Sequence, residues 1–245
     1  SDLTLFGRLF TDNPNPYHRV DTVRFKGFTT SENGQVRMSS GIAVAFRTNS
    51  TSITIKTEYG QRSFPTNTAG IAARGYDLYI RKDGEWLWAS SGVVPDSKPD
   101  ATLNLISTME NGMHECLLYL PLFSEEYSIK IGVQPDAVIE PLRNPFRHRI
   151  GIFGSSYTHG TSCTRAGMTY PAQFCRETGL QLLSLGCSGN SKLQPYFAEV
   201  LCQAQLDALI LDGFSNPSPE IIRERLFPFI EKIQEAHPGM PIIFQ

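Results

Sequence analysis

One stretch of the chain decides how its second half folds: His148-Arg-Ile-Gly-Ile-Phe-Gly-Ser-Ser-Tyr-Thr-His-Gly160. An apolar run passes directly into glycine, two serines and a polar segment, which predicts a buried strand that turns into a helix. A serine on such a turn can hold its hydroxyl above the carboxyl edge of a sheet, beside backbone N–H groups that can receive an oxyanion. Ser155 and Ser156 are therefore the first candidates for chemistry in this sequence.

The bulk composition is that of a folded protein without a polyionic partner. The 245 residues suffice for one large domain or two modest ones, and 40% of them are hydrophobic, which allows a packed core. The net charge is −2, from 22 basic and 24 acidic side chains. The chain therefore lacks the excess of positive charge that is typical of proteins that bind nucleic acid. No apolar stretch approaches the roughly 20 residues of a membrane span. We expect neither nucleic acid nor a membrane as a partner.

The cysteines give no sign of a metal or redox centre. They contain no Cys-x-x-Cys pair, and an odd number argues against a disulfide framework. We expect them to be small, buried hydrophobic side chains, and we predict no cofactor and no bound metal. The cysteines are Cys116, Cys163, Cys175, Cys187 and Cys202.

The first half of the chain, residues 1–145, has the alternating pattern of β-strands. Lys82-Asp83-Gly84 separates two such segments, and Asp-Gly is a strong hairpin signal. Short strands separated by Gly, Pro and Asn turns predict a β-sandwich, similar to a jelly roll. The predicted strands cover residues 41–48, 52–57, 76–81, 85–88, 114–120 and 127–133.

The second half, residues 146–245, alternates strands with helices. The last helix begins with a hydroxyl N-cap, a proline and then an acid, in Ser218-Pro219-Glu220. The order β-α-β-α-β-α-β predicts right-handed crossovers and a parallel sheet. The predicted strands are 150–153, 181–185, 207–211 and 241–244, and the predicted helices are 169–178, 193–205 and 218–237.

Three loops leave the carboxyl ends of the first three predicted parallel strands, where sites form in open sheets. They carry the serine pair, then Gly-Cys-Ser-Gly-Asn-Ser at 186–191, then Asp-Gly-Phe-Ser-Asn at 212–216. Each loop alone has a structural explanation, because serine after a strand caps a helix and Ser-Gly-Asn or Asn-Pro segments form turns. Their coincidence at one edge of the sheet indicates a site.

These loops resemble the sequence blocks of the SGNH or GDSL-type hydrolases, serine esterases on a flavodoxin-like three-layer α/β/α fold. Gly154-Ser155-Ser156 matches the first block, with Ser155 where the family name has aspartate, and the resemblance places the nucleophile on Ser156. The glycine donor of the second block falls on Gly189. The asparagine donor of the third block falls on Asn216.

One subgroup of this family resembles most of the chain. In that subgroup a β-sandwich with a Gly-x-Asp-Leu-Tyr signature precedes the hydrolase domain, and Gly75-Tyr-Asp-Leu-Tyr79 is that signature. The run from Thr158 to Pro171 is similar to the same subgroup. The resemblance therefore implies an α/β protein with a sandwich domain in residues 1–145 and an SGNH hydrolase domain in residues 146–245.

The chemistry implied is acyl transfer. A serine hydroxyl attacks an ester once a base takes its proton, and the carbonyl oxygen then becomes negative. The N–H groups of Ser156 and Gly189 and the side-chain amide of Asn216 would stabilise that charge. The nucleophile elbow of the α/β-hydrolases does not fit, because it requires glycine two residues after the serine, where Thr158 stands.

Half of the expected machinery is missing from the 245 residues. The family's base and orienting acid lie in an Asp-x-x-His motif, which this chain does not contain. His148 and His237 are predicted at the opposite edge of the sheet, and His18 and His114 belong to the sandwich half. We expect a C-terminally truncated piece whose Asp and His follow Gln245, and a natural non-catalytic relative is the rival interpretation.

Two residues beside the nucleophile are assigned to the substrate pocket. His159 is the one histidine close to Ser156 in sequence, and we expect it to pack or to line the pocket rather than to act as the base. Ser155 is expected to lie in the same pocket.

Aromatic residues of the sandwich leave two interpretations open. Trp86 and Trp88 are two residues apart and share one face of a predicted strand. If exposed, they could stack on sugar rings; if buried, they belong to the sandwich core, which is the interpretation we favour.

Acidic residues of the sandwich have structural explanations. We expect Asp77 to accept backbone hydrogen bonds or to pair with Arg74 or Arg81, and Glu125-Glu126 to form a solvated turn.

The leading hypothesis is a serine esterase that removes small acyl groups, most plausibly acetyl, from carbohydrate. The preference for an acetylated saccharide comes from the subgroup alone. The alternatives are a non-catalytic carbohydrate-binding or scaffold protein on a decayed fold, and a thioesterase or lysophospholipase. An enzyme that acts on polysaccharides is expected to be exported, and the sequence predicts no oligomeric state.

Overall fold

The computed structural model describes residues 3–245. In the first half the chain forms short strands with two short helices between them. These elements are β1 (Thr4–Phe6), α1 (Thr30–Val36), β2 (Ala43–Thr48), β3 (Ile53–Arg62), α2 (Gly70–Arg74), β4 (Gly75–Lys82), β5 (Glu85–Val93), β6 (Leu103–Ile106), β7 (His114–Tyr119), β8 (Ser124–Gly132) and β9 (Ile139–Pro141).

Two antiparallel sheets face each other in this half. One has the strand order β1-β2-β7-β4-β5 with β9 beside β2, and the other has the order β6-β3-β8. Alternate residues of β2 and β3, such as Val44, Phe46, Ile53 and Ile55, fill the space between the sheets. The sandwich and the six strands that periodicity predicts are confirmed, whereas β1, β6 and β9 were not predicted.

The second half is the predicted alternation of strands and helices. Its sheet has the order β11-β10-β12-β13, and all three pairings are parallel. The elements are β10 (Arg147–Gly154), α3 (Ser156–His159), a 3₁₀ turn (Ala166–Met168), α4 (Tyr170–Thr178), β11 (Leu180–Gly186), α5 (Pro195–Gln203), β12 (Ala208–Asp212), α6 (Pro219–Ala236) and β13 (Ile242–Phe244).

Alternation along the parallel strands creates three layers. Phe153 and Leu183 face α5 and α6, whereas Ile152 and Leu182 face α4. Helices therefore cover both faces of the sheet, as the flavodoxin-like expectation requires. The predicted start of helix α6 is confirmed, because the Ser218 hydroxyl accepts a hydrogen bond from the N–H of Ile221 and Pro219 is the first residue of the helix.

The Gly-x-Asp-Leu-Tyr segment forms β4 and joins the two halves. Tyr76 and Leu78 point into the sandwich, whereas Asp77 and Tyr79 point to the second half. Asp77 accepts a 2.9 Å hydrogen bond from the N–H of Gly167 and contacts Arg165 at 3.3 Å. Alternate side chains of this one strand thus close the sandwich core and hold the 3₁₀ turn. The backbone hydrogen bond expected of Asp77 is confirmed, and its arginine partner is Arg165 rather than Arg74 or Arg81.

Apolar residues between positions 9 and 36 pack on the second half of the chain. Leu9, Phe10, Val20, Phe25 and Val36 pack with the α5 and α6 side of the parallel sheet, not with the sandwich. Another hydrophobic core also contains residues from both halves, since strands of the larger sandwich sheet pack on α4. The domain boundary near residue 145 stays a prediction. Residues from both sides of it pack together in shared cores.

The expectation of a solvated turn at Glu125 and Glu126 is wrong. Glu125 and Glu126 are buried, not solvated. Glu125 contacts His18 and Arg37, each at 2.9 Å, while Tyr76 and Thr57 donate hydroxyl hydrogen bonds to Glu126. Buried carboxyl groups need such partners, and no local pattern announces them.

Not all of the cysteines are buried as expected, because Cys163 and Cys202 are partly exposed. All five cysteines are free, with Cys116, Cys175 and Cys187 buried. Within residues 3–245, no helix combines the length and the apolar character needed to cross a bilayer.

Candidate functional site

The three loops singled out in the sequence meet at one edge of the parallel sheet. Gly154, Gly186 and Asp212 end β10, β11 and β12, and Gly154 pairs with each of the other two across the sheet. The N–H of Cys187 donates to the carbonyl of Gly154 at 3.0 Å, and the hydroxyl of Ser191 donates to the same carbonyl at 2.5 Å. The first and second loops are therefore tied together directly behind the serine pair.

Ser156 is the first residue of helix α3, and Ser155 is its N-cap. The Ser155 hydroxyl is buried and accepts a hydrogen bond from the N–H of Tyr157, at 3.4 Å. Ser156 is partly exposed, and its hydroxyl makes no hydrogen bond to any described residue. Of the two serines, Ser156 is thus the one free to meet a substrate.

The second loop presents Gly189 at the surface. Gly189 has a φ of 73°, a left-handed conformation that strains other residues. Its N–H has no hydrogen-bond partner in the described part of the chain. The loop is braced from behind by α1, because the amide of Gln35 donates to the carbonyl of Ser188 at 2.9 Å. A capping box of Thr29 and Glu32 starts α1, and this sequence signal could have revealed the helix.

The third loop carries Asn216, directly before Pro217. Asn216 is partly buried, and its Oδ1 is shielded from solvent without a hydrogen-bond partner among residues 3–245. A buried amide oxygen without a partner is unfavourable by about 1–3 kcal/mol. The amide of Asn216 is therefore unused by the fold, like the Ser156 hydroxyl and the Gly189 N–H on the other two loops.

A hydroxyl–carboxylate cluster connects the first and third loops. Thr158 donates to Oδ2 of Asp212 at 2.5 Å, and the Tyr170 hydroxyl donates to the same oxygen at 2.7 Å. Burial, and then the neighbouring Asp212, raises the pKa of Tyr170, so that its proton stays in place. None of the three residues was predicted as functional. Asp212 directly follows the strand predicted at residues 207–211.

A buried arginine holds the end of strand β11. Arg19 is fully buried, and it donates to the carbonyls of Gly186 at 2.7 Å, Gln35 at 2.6 Å and Met38 at 3.0 Å. Desolvation lowers its pKa. No motif marks this residue, because its partners lie more than 15 positions away or belong to a different half of the chain.

His159 and Ser155 are both buried. For His159 this is the packing role that was one of the two expected, and the assignment of both residues to the substrate pocket stays a prediction. His159 is fully buried, its ring stacks on Phe123 at 4.2 Å, and its Nε2 lies 2.9 Å from the carbonyl of Leu122. Desolvation, followed by the charge of Arg19, holds the pKa of His159 well below its usual value. The ring is a neutral structural link between the sandwich and the second loop.

The other histidines lie away from Ser156. His148 pairs with Asp207 at the amino edge of the sheet, and His237 contacts the carbonyl of Leu201. His18 and His114 have partners in the sandwich half. Among residues 3–245, therefore, no histidine contacts Ser156, and no group of three or more His, Cys, Asp or Glu is arranged to hold a metal ion.

Known proteins resemble the chain in both halves. Residues 1–139 match the family described as the GxDLY N-terminus of SGNH-hydrolase-type esterases, and residues 147–245 match the GDSL-like lipase/acylhydrolase family. No curated protein is significantly similar in sequence.

Solved structures share the fold. A protein from Bacteroides ovatus, described as a candidate GDSL-like lipase, is 38% identical with a TM-score of 0.93, over 99% of this chain and 71% of that one. The salicylyl-acyltransferase SsfX3 from a tetracycline biosynthetic pathway is 24% identical with a TM-score of 0.67, over 88% of this chain and 60% of that one. A family two carbohydrate esterase from Clostridium thermocellum, solved with cellohexaose, is 14% identical with a TM-score of 0.60, over 84% of this chain and 70% of that one.

Proposed function

Because the chain belongs to the GDSL-like lipase/acylhydrolase family, with the GxDLY domain at its N-terminus, we propose that it is a serine esterase that removes small acyl groups, chiefly acetyl, from carbohydrate. Ser156 is the nucleophile in this proposal. The N–H groups of Ser156 and Gly189 and the amide of Asn216 bind the oxyanion.

One observation carries the assignment. At the edge where three loops meet, the Ser156 hydroxyl, the Gly189 N–H and the Asn216 amide have no hydrogen-bond partner among residues 3–245. Polar groups that a fold leaves unused at the end of a parallel sheet are available to a ligand. A hydroxyl beside amide donors is the set that acyl transfer requires.

The proposed reaction has two acyl-transfer steps. The Ser156 oxygen attacks the ester carbonyl as a base removes the hydroxyl proton, and the carbonyl oxygen becomes an anion facing the donors. The carbonyl re-forms, the alcohol leaves with a proton, and the acyl group stays on Ser156. Water then attacks the acyl-serine in the same way, which releases the acid and restores the hydroxyl.

No histidine of the chain forms a hydrogen bond or an ion pair with the Ser156 side chain, so the proposal names no base within residues 3–245. The proposal therefore assigns to residues 1–245 the nucleophile and the oxyanion donors. The assay uses the full-length protein.

The carbohydrate part of the proposal has separate support. Family two carbohydrate esterases share the fold, and one of them was solved with cellohexaose. An enzyme that acts on a polysaccharide must meet it outside the cell or in the periplasm, so we extend the proposal to an exported protein.

The test compares Ser156→Ala with the unaltered protein on p-nitrophenyl acetate, and Ser107→Ala, an exposed serine of the sandwich, is the matched control. We expect Ser156→Ala to lose activity by a factor of about 10³ or more and Ser107→Ala to keep it. Equal turnover by the wild type and Ser156→Ala would refute the assignment of the nucleophile.

The preferred length of the acyl group in the substrate separates the proposed activity from its alternatives. Acetyl esters should be cleaved faster than octanoyl esters and acyl thioesters, and acetylated oligosaccharides should be deacetylated. Faster cleavage of long-chain esters or thioesters would favour the lysophospholipase or thioesterase alternative. An inactive full gene product that binds saccharide would favour the non-catalytic alternative.

A further inference from the structure

A groove of about 600 Å³ runs between the sandwich and helix α4, away from Ser156. It contains both tryptophans of the chain, on the edge strand β5. Its other wall comes from the 3₁₀ turn and from α4. The lining includes Tyr79, Trp86, Trp88, Arg165, Gln173 and Arg176.

The groove lies beside the proposed esterase site and does not coincide with it. Helix α4 starts at Tyr170, whose hydroxyl contacts Asp212 at the carboxyl edge. The helix ends next to Gly179, whose carbonyl accepts from Arg147 at the start of β10, on the amino edge. Gln173 and Arg176 are on the turns between, so the groove extends from the carboxyl edge down the flank of the sheet.

Trp88 offers a flat apolar face to solvent. Its side chain is 53% exposed, whereas Trp86 is half-buried against the core that both halves share. The guanidinium of Arg165 lies 5.0 Å from the centre of the Trp88 ring, and Asp77 fixes the other side of Arg165. The two tryptophans that were expected in the sandwich core are thus only partly buried, and the exposed ring is held in place.

Arginine, glutamine and glutamate side chains line the opposite wall. The Arg176 guanidinium carbon stands 3.9 Å from the centre of the Tyr79 ring, and its Nη1 is buried without a hydrogen-bond partner in residues 3–245. Gln173 and Glu177 lie on the same wall, and the Gln173 amide donates one hydrogen bond to the carbonyl of Met168 at 2.9 Å. Planar amide, guanidinium and carboxylate groups donate to and accept from hydroxyls in fixed directions.

The charges of the lining select among ligand classes. Arg165 and Arg176 are balanced by Glu85 and Glu177, so the groove attracts neither anions nor cations strongly. The mixture of aromatic faces and hydrogen-bonding groups is unsuited to an acyl chain. A neutral pyranose has an apolar C–H face and a rim of hydroxyls, and it matches both features.

We propose that this groove is a saccharide-binding subsite, which holds a neutral sugar chain by stacking a ring on Trp88 and by hydrogen bonds from Arg176 and Gln173. The subsite does not depend on Ser156. If both proposals hold, the groove keeps a polysaccharide on the enzyme while esters nearby are cleaved.

The test is calorimetric titration of the full gene product with cellohexaose, xylohexaose and mannohexaose. We expect at least one to bind, Trp88→Ala to raise its Kd about tenfold or more, and Trp88→Phe to keep part of the affinity. Leu87→Ala is the matched control, because Leu87 is an exposed neighbour on the same strand whose side chain points to the other face. Gln173→Ala is a second variant, on the opposite wall of the groove.

Ser156→Ala separates this proposal from the esterase assignment, since it should bind saccharide with unchanged affinity. Three results would overturn the subsite: no binding of any of the three oligosaccharides, unchanged affinity in Trp88→Ala, or affinity that Ser156→Ala removes and Trp88→Ala keeps. Binding restricted to an acidic oligosaccharide such as a galacturonate hexamer would overturn its neutral-ligand assignment.

Discussion

The hydroxyl of Thr158 donates a 2.5 Å hydrogen bond to Oδ2 of Asp212. Thr158 lies on the helix that begins with Ser156, and Asp212 ends the strand that leads to Asn216. This contact and that of the Tyr170 hydroxyl to the same oxygen link the helix of the proposed nucleophile to the strand that leads to one proposed oxyanion donor. Thr158, Tyr170 and Asp212 are thus positioning residues in the proposed site.

Removing the Thr158 hydroxyl should slow the reaction more than it weakens binding. We expect Thr158→Val to lower kcat about ten- to hundredfold with KM little changed, because a displaced nucleophile reacts poorly with a substrate that still binds. Thr158→Ser should recover most of the rate. The measurement is kcat and KM for p-nitrophenyl acetate well below the unfolding temperature.

Thr178→Val is the matched control for this prediction, since Thr178 is an exposed threonine at the end of α4. A wild-type kcat in Thr158→Val would show that the cluster does not position Ser156.

Asn216 should act on the transition state. Asn216→Ala is expected to lower kcat by about 10²–10³ and to leave KM nearly unchanged, because the amide stabilises charge that exists only during the reaction. Steady-state kinetics on the same ester measure both constants, with Asn104→Ala, an exposed asparagine of β6, as the control. A change confined to KM would assign Asn216 to ground-state binding instead.

Arg19 should stabilise the whole assembly of loops. Arg19→Met leaves the carbonyls of Gly186, Gln35 and Met38 without their donor, and we expect a loss of about 2–5 kcal/mol in the free energy of unfolding. Arg19→Lys should recover little, because one ammonium cannot reach the directions that the guanidinium fork serves. Urea denaturation measures the difference, and the exposed Arg223→Met serves as control. Equal stability of Arg19→Met and the wild type would contradict this role.

Glu126 should make the protein less stable as the pH rises from about 4.5 to about 8. Burial raises the pKa of Glu126 from 4.5 to about 8, despite the hydroxyls of Thr57 and Tyr76. Between these two values the folded protein holds a proton that the unfolded chain has released. The free energy of unfolding should therefore fall as pH rises through this window, by up to about 1.4 kcal/mol per pH unit.

The measurement is the free energy of unfolding by urea at several pH values, for the wild type and Glu126→Gln. Glutamine stays neutral and can still bond both hydroxyls, so the slope attributable to residue 126 should disappear. A slope unchanged in Glu126→Gln would show that other groups produce it.

The proposed site was largely readable from the sequence because its parts are local. Each of the three loops follows a strand that periodicity predicts, and parallel strands place their carboxyl ends at one edge. The loops that carry Ser156, Gly189 and Asn216 could therefore be brought to one side of the sheet from the sequence, and the resemblance to SGNH hydrolases selected these three residues within them. The cluster behind them could not, because Thr158 and Asp212 are 54 positions apart and nothing in either local pattern implies their contact.

The sequence by itself determined the order of elements, the sandwich and parallel-sheet halves, and the edge that carries the loops, since hydrophobic period and turn residues act over a few positions. Only the tertiary structure decided that Glu125 and Glu126 are buried, that His159 is a neutral packing residue, and that Trp88 faces a groove. These outcomes depend on which distant surfaces pack together. Burial and charge pairing are properties of that packing, and no segment contains them alone.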